Sequence, residues 1–60
     1  MNLEIGSTYV LVINAGRILT YTAIIISVED GFVTFKDKFD KEYTYNKNVI
    51  VSFEKRGGKW

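Results

Sequence analysis

Cysteine, proline and histidine are all missing from this 60-residue chain. Without cysteine there is no disulfide and no thiolate metal site. Without histidine the chain lacks the commonest transition-metal ligand and the commonest general base. Without proline nothing interrupts long continuous strands, and the five glycines become the main punctuation. Long apolar runs are missing too. Runs such as Ala23 to Ile26 fall far short of the roughly 20 residues that span a bilayer. The opening Met-Asn-Leu-Glu-Ile has neither a basic segment nor an apolar stretch of signal-peptide length. A cytoplasmic protein with no membrane association is the expectation, and a cysteine-free composition fits that compartment.

Charge of one sign is also scarce. A net +1 is well below what proteins that grip nucleic acid by phosphate neutralisation usually carry. The excess is gathered only at the end, in Lys55, Arg56 and Lys59. A chain this short forms one domain and buries only about 60% of its unfolded surface. With disulfides and thiolate zinc excluded, the remaining supplements are tight core packing, a partner subunit, or both.

What the chain does have is alternation. It is rich in Val, Ile, Thr, Tyr and Phe, which suit a pleated surface, and no segment repeats apolar residues at helical spacing. The pattern predicts a first strand over roughly Tyr9 to Ile13, then a hairpin turn at Asn14-Ala15-Gly16 with Gly16 left-handed. The second strand starts at Arg17 and runs to about Val28, long against a usual ~5–6 residues. Leu19, Tyr21, Ala23 and Ile25 share one face, yet Ile24, Ile26 and Val28 are equally apolar on the other. A strand bent in the middle, giving each half to a different sheet, would bury both sets.

Asp30-Gly31 is a two-residue hairpin signal. The third strand follows as Phe32 to Lys36, with Val33 and Phe35 on one face. Asp37 to Lys41 is a polar turn with Phe39 at its centre. The fourth strand, Glu42 to Asn46, sets Tyr43 and Tyr45 together, and Asn46-Lys47-Asn48 makes a short turn. In the last strand Val49, Val51 and Phe53 face in while Ile50, Ser52 and Glu54 face away. The expected architecture is all-β: a five-stranded SH3-like barrel over residues 1–54, with a long bent second strand and no N-terminal helix. Residues 55–60 form a flexible basic tail, since Gly57-Gly58 disfavours order. Apolar residues left on second faces, such as Val10, Val12, Ile24 and Ile50, suggest self-association through strand edges.

The order of features resembles the Sm-like family, its Hfq-like bacterial RNA-chaperone branch included. The stretch GSTYVLVINAG places Gly6, Tyr9, Leu11, Ile13 and Gly16 as that family's first motif does. YNKNVIVSF is similar to the segment where a polar turn leads into the family's last strand, with Tyr45, Asn46 and Lys47 in the matching positions. The resemblance implies a small barrel, an oligomeric ring and RNA binding. Departures bear on the last of these. No Asn follows the turn Ser27-Val28-Glu29-Asp30-Gly31, and Tyr45-Asn46 stands where many members carry Arg-Gly. Met1 to Thr8 leaves no room for the usual N-terminal helix.

No enzyme is expected. A nucleophile needs a positioned base, and no histidine serves the hydroxyls of Ser7, Ser27 or Ser52. No catalytic residue, cofactor or metal site is foreseen. Asp37, Asp40 and Glu42 bracket one turn, but the run DKFDKE lacks the ligand spacing of a calcium loop. Interleaved Lys36, Lys38 and Lys41 instead predict a solvated, ion-paired turn. The same lysines surround Phe39 and make the one basic-aromatic cluster outside the tail, the combination that stacks bases and meets phosphates. The contact residues foreseen are Lys36, Lys38, Phe39, Lys41, Tyr45, Asn46, Lys47, Lys55 and Arg56. Two functions fit. One is a homo-oligomeric small barrel that binds RNA or single-stranded nucleic acid. The other is an SH3-like protein-interaction module, acting as adaptor, inhibitor or assembly factor with no nucleic-acid role.

Overall fold

Alternation and turn chemistry settle the architecture. The computed structural model describes residues 2–56. Five strands form one antiparallel sheet: β1 (Thr8–Asn14), β2 (Ile18–Glu29), β3 (Phe32–Asp37), β4 (Glu42–Asn46) and β5 (Ile50–Lys55). A single 3-10 turn, Lys47–Val49, joins β4 to β5. Across the sheet the order is β4-β3-β2-β1-β5, so β5 returns to pair with β1. Among the described residues no helix is long and apolar enough to cross a membrane.

The hairpins turn where the sequence marks them. Gly16 has φ +84, and Asp30 and Gly31 have φ 52 and φ 79. Two successive positive φ values between the paired residues Glu29 and Phe32 are the mirror-image turn whose twist matches that of the strands.

The sheet is rolled but open. β4 and β5 are its two edges and do not pair with each other. Four peptide units from Asn46 to Ile50 reach at most about 14 Å, whereas the edges of a flat five-stranded sheet lie about 19 Å apart at ~4.8 Å per strand. The short link is therefore possible only because the sheet curls, bringing one end of β4 toward the start of β5.

The long strand serves two partners within that one sheet, not two sheets as its apolar phasing predicts. β1 pairs with Ile18–Ile24 of β2, and β3 pairs with Ala23–Glu29. The bend is a bulge: the β2–β3 register shifts between Ile25 and Ser27, leaving Ile26 as the extra residue. Leu19, Tyr21, Ala23 and Ile25 do line the core face, but Ile26 and Val28 stay exposed at 37% and 38%.

The inward phase of β5 also differs from the alternation. Ile50 is buried and pairs with Ile13, while Val51 is 63% exposed. A register shift opposite Val12/Ile13 explains it, because Ser52 pairs with Val12 and Val51 is left between the two pairs. Phe53 returns to the core side against Leu11 and meets the Tyr9 ring edge-on at 6.1 Å, yet remains partly exposed. β5 runs through Lys55, and the Arg56 N–H donates to the Thr8 carbonyl at 2.9 Å. Of the segment expected to be a flexible tail, residues 57–60 lie outside the described residues.

Tyr9, Leu11, Ile13, Ala23, Ile25, Val33, Phe35 and Ile50 make the buried core, with Leu3, Leu19, Tyr21, Tyr43, Tyr45 and Val49 packed against it. The N-terminal segment helps close one end. The Tyr9 hydroxyl accepts from the Glu4 N–H at 2.8 Å, beside the packed Leu3 side chain.

Candidate functional site

The nine contact residues read from the sequence fall into three groups. Lys36, Lys38, Phe39 and Lys41 gather at the β3–β4 turn. Tyr45, Asn46 and Lys47 lie at the other end of β4, beside the Asp30-Gly31 turn, where the Lys47 N–H donates to the Gly31 carbonyl at 2.8 Å. Lys55 ends β5 and Arg56 follows it, at the opposite edge of the sheet from β4.

The β3–β4 turn is organised by Asp37. Its Oδ1 accepts from the backbone N–H of Phe39 at 2.9 Å and of Lys41 at 3.0 Å. A carboxylate bridging its own following N–H groups fixes a tight turn, and here it does so with only 8% of Asp37 exposed. The solvated, ion-paired turn foreseen from the sequence is thus built around a buried acid. The ion pair is present beside it, with Lys36 Nζ 3.4 Å from Asp40 Oδ1. Asp40 takes φ 64, a left-handed conformation that Asp tolerates better than most residues. The turn lifts Phe39 to 74% exposure, and Lys38 Nζ lies 5.4 Å from the centre of its ring.

Tyr21, Tyr43 and Tyr45 lie on the core side and are half-buried. Tyr43 stacks on Phe35 at 5.5 Å between ring centres, and Tyr45 does so at 6.1 Å. Tyr21 tilts against Tyr43 at 4.9 Å and its hydroxyl lies 3.3 Å from that of Tyr45. Pairs of this kind add about 0.5–1.5 kcal/mol beyond their buried area. The Tyr45 hydrogen bond, then burial, pushes the Tyr21 phenol up to about 12. Desolvation and the nearby Asp37 carboxylate raise that of Tyr43. Tyr45 is therefore a half-buried wall of the core, packed on Phe35.

The remaining foreseen residues have structural partners as well. Asn46 caps the 3-10 turn, its Oδ1 accepting from the Asn48 N–H at 2.9 Å. Lys55 is paired with Glu4, and that contact holds the ammonium above its ordinary range. Lys38, Phe39 and Lys41 form an exposed group at one turn, and its two lysines, like Lys47 and Arg56, have no ion pair among the described residues.

A recess of about 260 Å³ opens beside this group, lined by Thr20, Tyr21, Thr22, Asp37, Lys38 and Phe39. The sequence pointed to Phe39 and Lys38 but gave no hint of Thr20 and Thr22. They belong to the stretch of β2 that β3 does not reach, and only the strand register shows that. Comparison with protein-family models, with curated proteins and with solved structures finds no match to this chain, so its own geometry must carry the functional reading.

Proposed function

We propose that this protein is a small SH3-like interaction module that docks other polypeptide chains, copies of itself included, through uncovered strand edges. The carrying observation is the β5 edge, unpaired on one side and flanked by Val51 at 63% and Phe53 at 39% exposure. An edge with free backbone groups and apolar neighbours is a template for another strand. β4 offers the complementary free edge of the same sheet, so β4 of one copy on β5 of the next would build a head-to-tail assembly, a ring where the rotation closes and a filament where it does not. The element order, the bent β2 and the short β4–β5 link support the rolled-barrel reading and the Sm-like resemblance. Light scattering behind a sizing column tests the self-association, with Val51→Lys as the probe variant. An assembly that falls to a monomer on substitution supports the reading, and a wild-type monomer at all concentrations removes its self-association.

The exposed Phe39 beneath Lys38 favours a second reading, in which the turn stacks a base of RNA or another single-stranded nucleic acid. Within that turn Lys36, Lys38 and Lys41 are opposed by Asp37, Asp40 and Glu42, which ranks it second. Phosphate contacts release counterions, so this binding would weaken steeply with salt. A fluorescence titration with an oligonucleotide at two salt concentrations checks it, and Phe39→Ala should abolish the signal.

A further inference from the structure

The β2 strand carries a third free edge, inside the sheet. Ile25 donates its N–H to Ser7 (3.1 Å) and accepts at its carbonyl from the Gly6 N–H (2.8 Å), so its main-chain groups point to the β1 side. Along an antiparallel strand this direction alternates residue by residue. The N–H and C=O groups of Ile24, Thr22 and Thr20 therefore point to the β3 side. Ile24 finds Lys36 there. Thr22 and Thr20 find no strand, because β3 ends at Asp37, paired with Ala23, and the chain turns away. The recess lies in this gap, with Thr20 and Thr22 on one side and Lys38 and Phe39 on the other.

We propose that this gap is a binding slot for a short extended peptide with acidic side chains, which continues the sheet where β3 leaves off. The inference extends the docking reading above but needs no self-association, since it uses neither β4 nor β5. The main-chain groups of Thr20 and Thr22 that β3 leaves unpaired supply a ladder that only another extended backbone matches. The acidic preference follows from the rim. Lys38 and Lys41 have no ion pair among the described residues, and neither does Arg17, which precedes the same edge. Of the three acids of this turn, Asp37 holds the turn, Asp40 holds Lys36, and Glu42 lies across the ladder from Lys36. Phe39, 74% exposed, offers its ring to an apolar residue of the incoming strand.

Backbone amide exchange on the full chain tests this, with the blocked peptide Val-Glu-Val-Glu-Val as probe. The peptide should slow exchange at Thr20 and Thr22 by about tenfold or more at saturation, as a newly paired edge does. The lysine counterpart Val-Lys-Val-Lys-Val and a backbone N-methylated copy of the acidic peptide should leave both amides unchanged. Thr22→Pro removes an N–H that no described residue uses, which a strand edge tolerates, and should weaken binding by about tenfold or more through loss of that donor. The N-methylated probe makes the same point on the unaltered protein should this variant fail to fold. Three results would overturn the proposal: no protection at Thr20 and Thr22, equal protection by the lysine or N-methylated peptide, or protection already present without peptide. Competition by an oligonucleotide that itself protects these amides would also overturn it, in favour of nucleic acid. Light scattering on the same samples separates this outcome from self-association, because a monomer that binds the peptide keeps the slot and removes only the edge-built assembly.

Discussion

The hydroxyl of Tyr21 lies 3.3 Å from that of Tyr45, tying the central strand of the sheet to its edge. Tyr21 sits on β2 and Tyr45 on β4, and the ring of Phe35 on the intervening β3 packs against both. The contact anchors a strand that has hydrogen-bonded neighbours on one side only.

That bond makes stability depend on alkaline pH. The folded Tyr21 phenol is pushed up to about 12 from an ordinary 10.0. A raised folded value means that the stabilisation is complete below pH 10.0 and is lost as pH climbs toward about 12. Tyr45→Phe should return the Tyr21 titration toward its ordinary value and cost about 0.5–1.5 kcal/mol. Ultraviolet titration of the tyrosines, with urea unfolding at neutral pH, checks both.

Asp37 should be the most sensitive acid in the chain. Asp37→Ala leaves the N–H groups of Phe39 and Lys41 without their acceptor, at a cost of about 2 kcal/mol for hydrogen bonds to a charged group. Asp37→Asn keeps an acceptor oxygen and should lose distinctly less. Urea midpoints of the two variants separate them, and equal losses would show that charge, not acceptance, matters.

The β2–β3 turn is a test of backbone conformation. Asp30→Val puts a β-branched residue at φ 52 and should cost about 1–2 kcal/mol, while Asp30→Asn is close to neutral. For Gly31→Ala the added methyl meets only the end of the Lys47 side chain, at 3.9 Å. Its cost, about 1 kcal/mol, should therefore come from φ 79 and not from crowding. Thermal unfolding followed by circular dichroism reads all three.

Phe35 is fully buried between the sheet and the tyrosine cluster. Phe35→Ala should cost about 3–5 kcal/mol, most of what a domain of this size has at roughly 0.05–0.15 kcal/mol per residue. The variant should lose its circular dichroism signature at ambient temperature, while Phe35→Leu stays folded.

How legible each element was follows from its physics. The hairpins at Gly16 and Asp30-Gly31 were plain in the sequence because they need residues that tolerate positive φ. Phe35 and Val33 were plain as core because their strand alternates without interruption. β5 was misread because alternation assumes one residue opposite one residue. The bulge that leaves Val51 outside is a property of its pairing with β1, which no local pattern contains. Tyr45 read as a contact residue because a tyrosine side chain suits both core and surface, and its packing on Phe35 is set by the cross-strand register, which no local pattern contains. Asp37 looked like one solvated acid among three, since burial is set by where β3 ends. Thr20 and Thr22 were invisible for the same reason.

The return of β5 to β1 also sets the order in which the chain must assemble. The pairs β1–β2, β2–β3 and β3–β4 each close through a short turn, so little chain entropy opposes them. The β1–β5 ladder instead joins Tyr9 to Lys55, nearly opposite ends of the molecule, and it has no local contact to start from. Such a seam forms late, after the hairpins have restricted the chain, and its long sequence separation slows the final step. The strand that carries the exposed Val51 is thus the last to join the sheet, and until it does, both of its backbone edges are available to a neighbour.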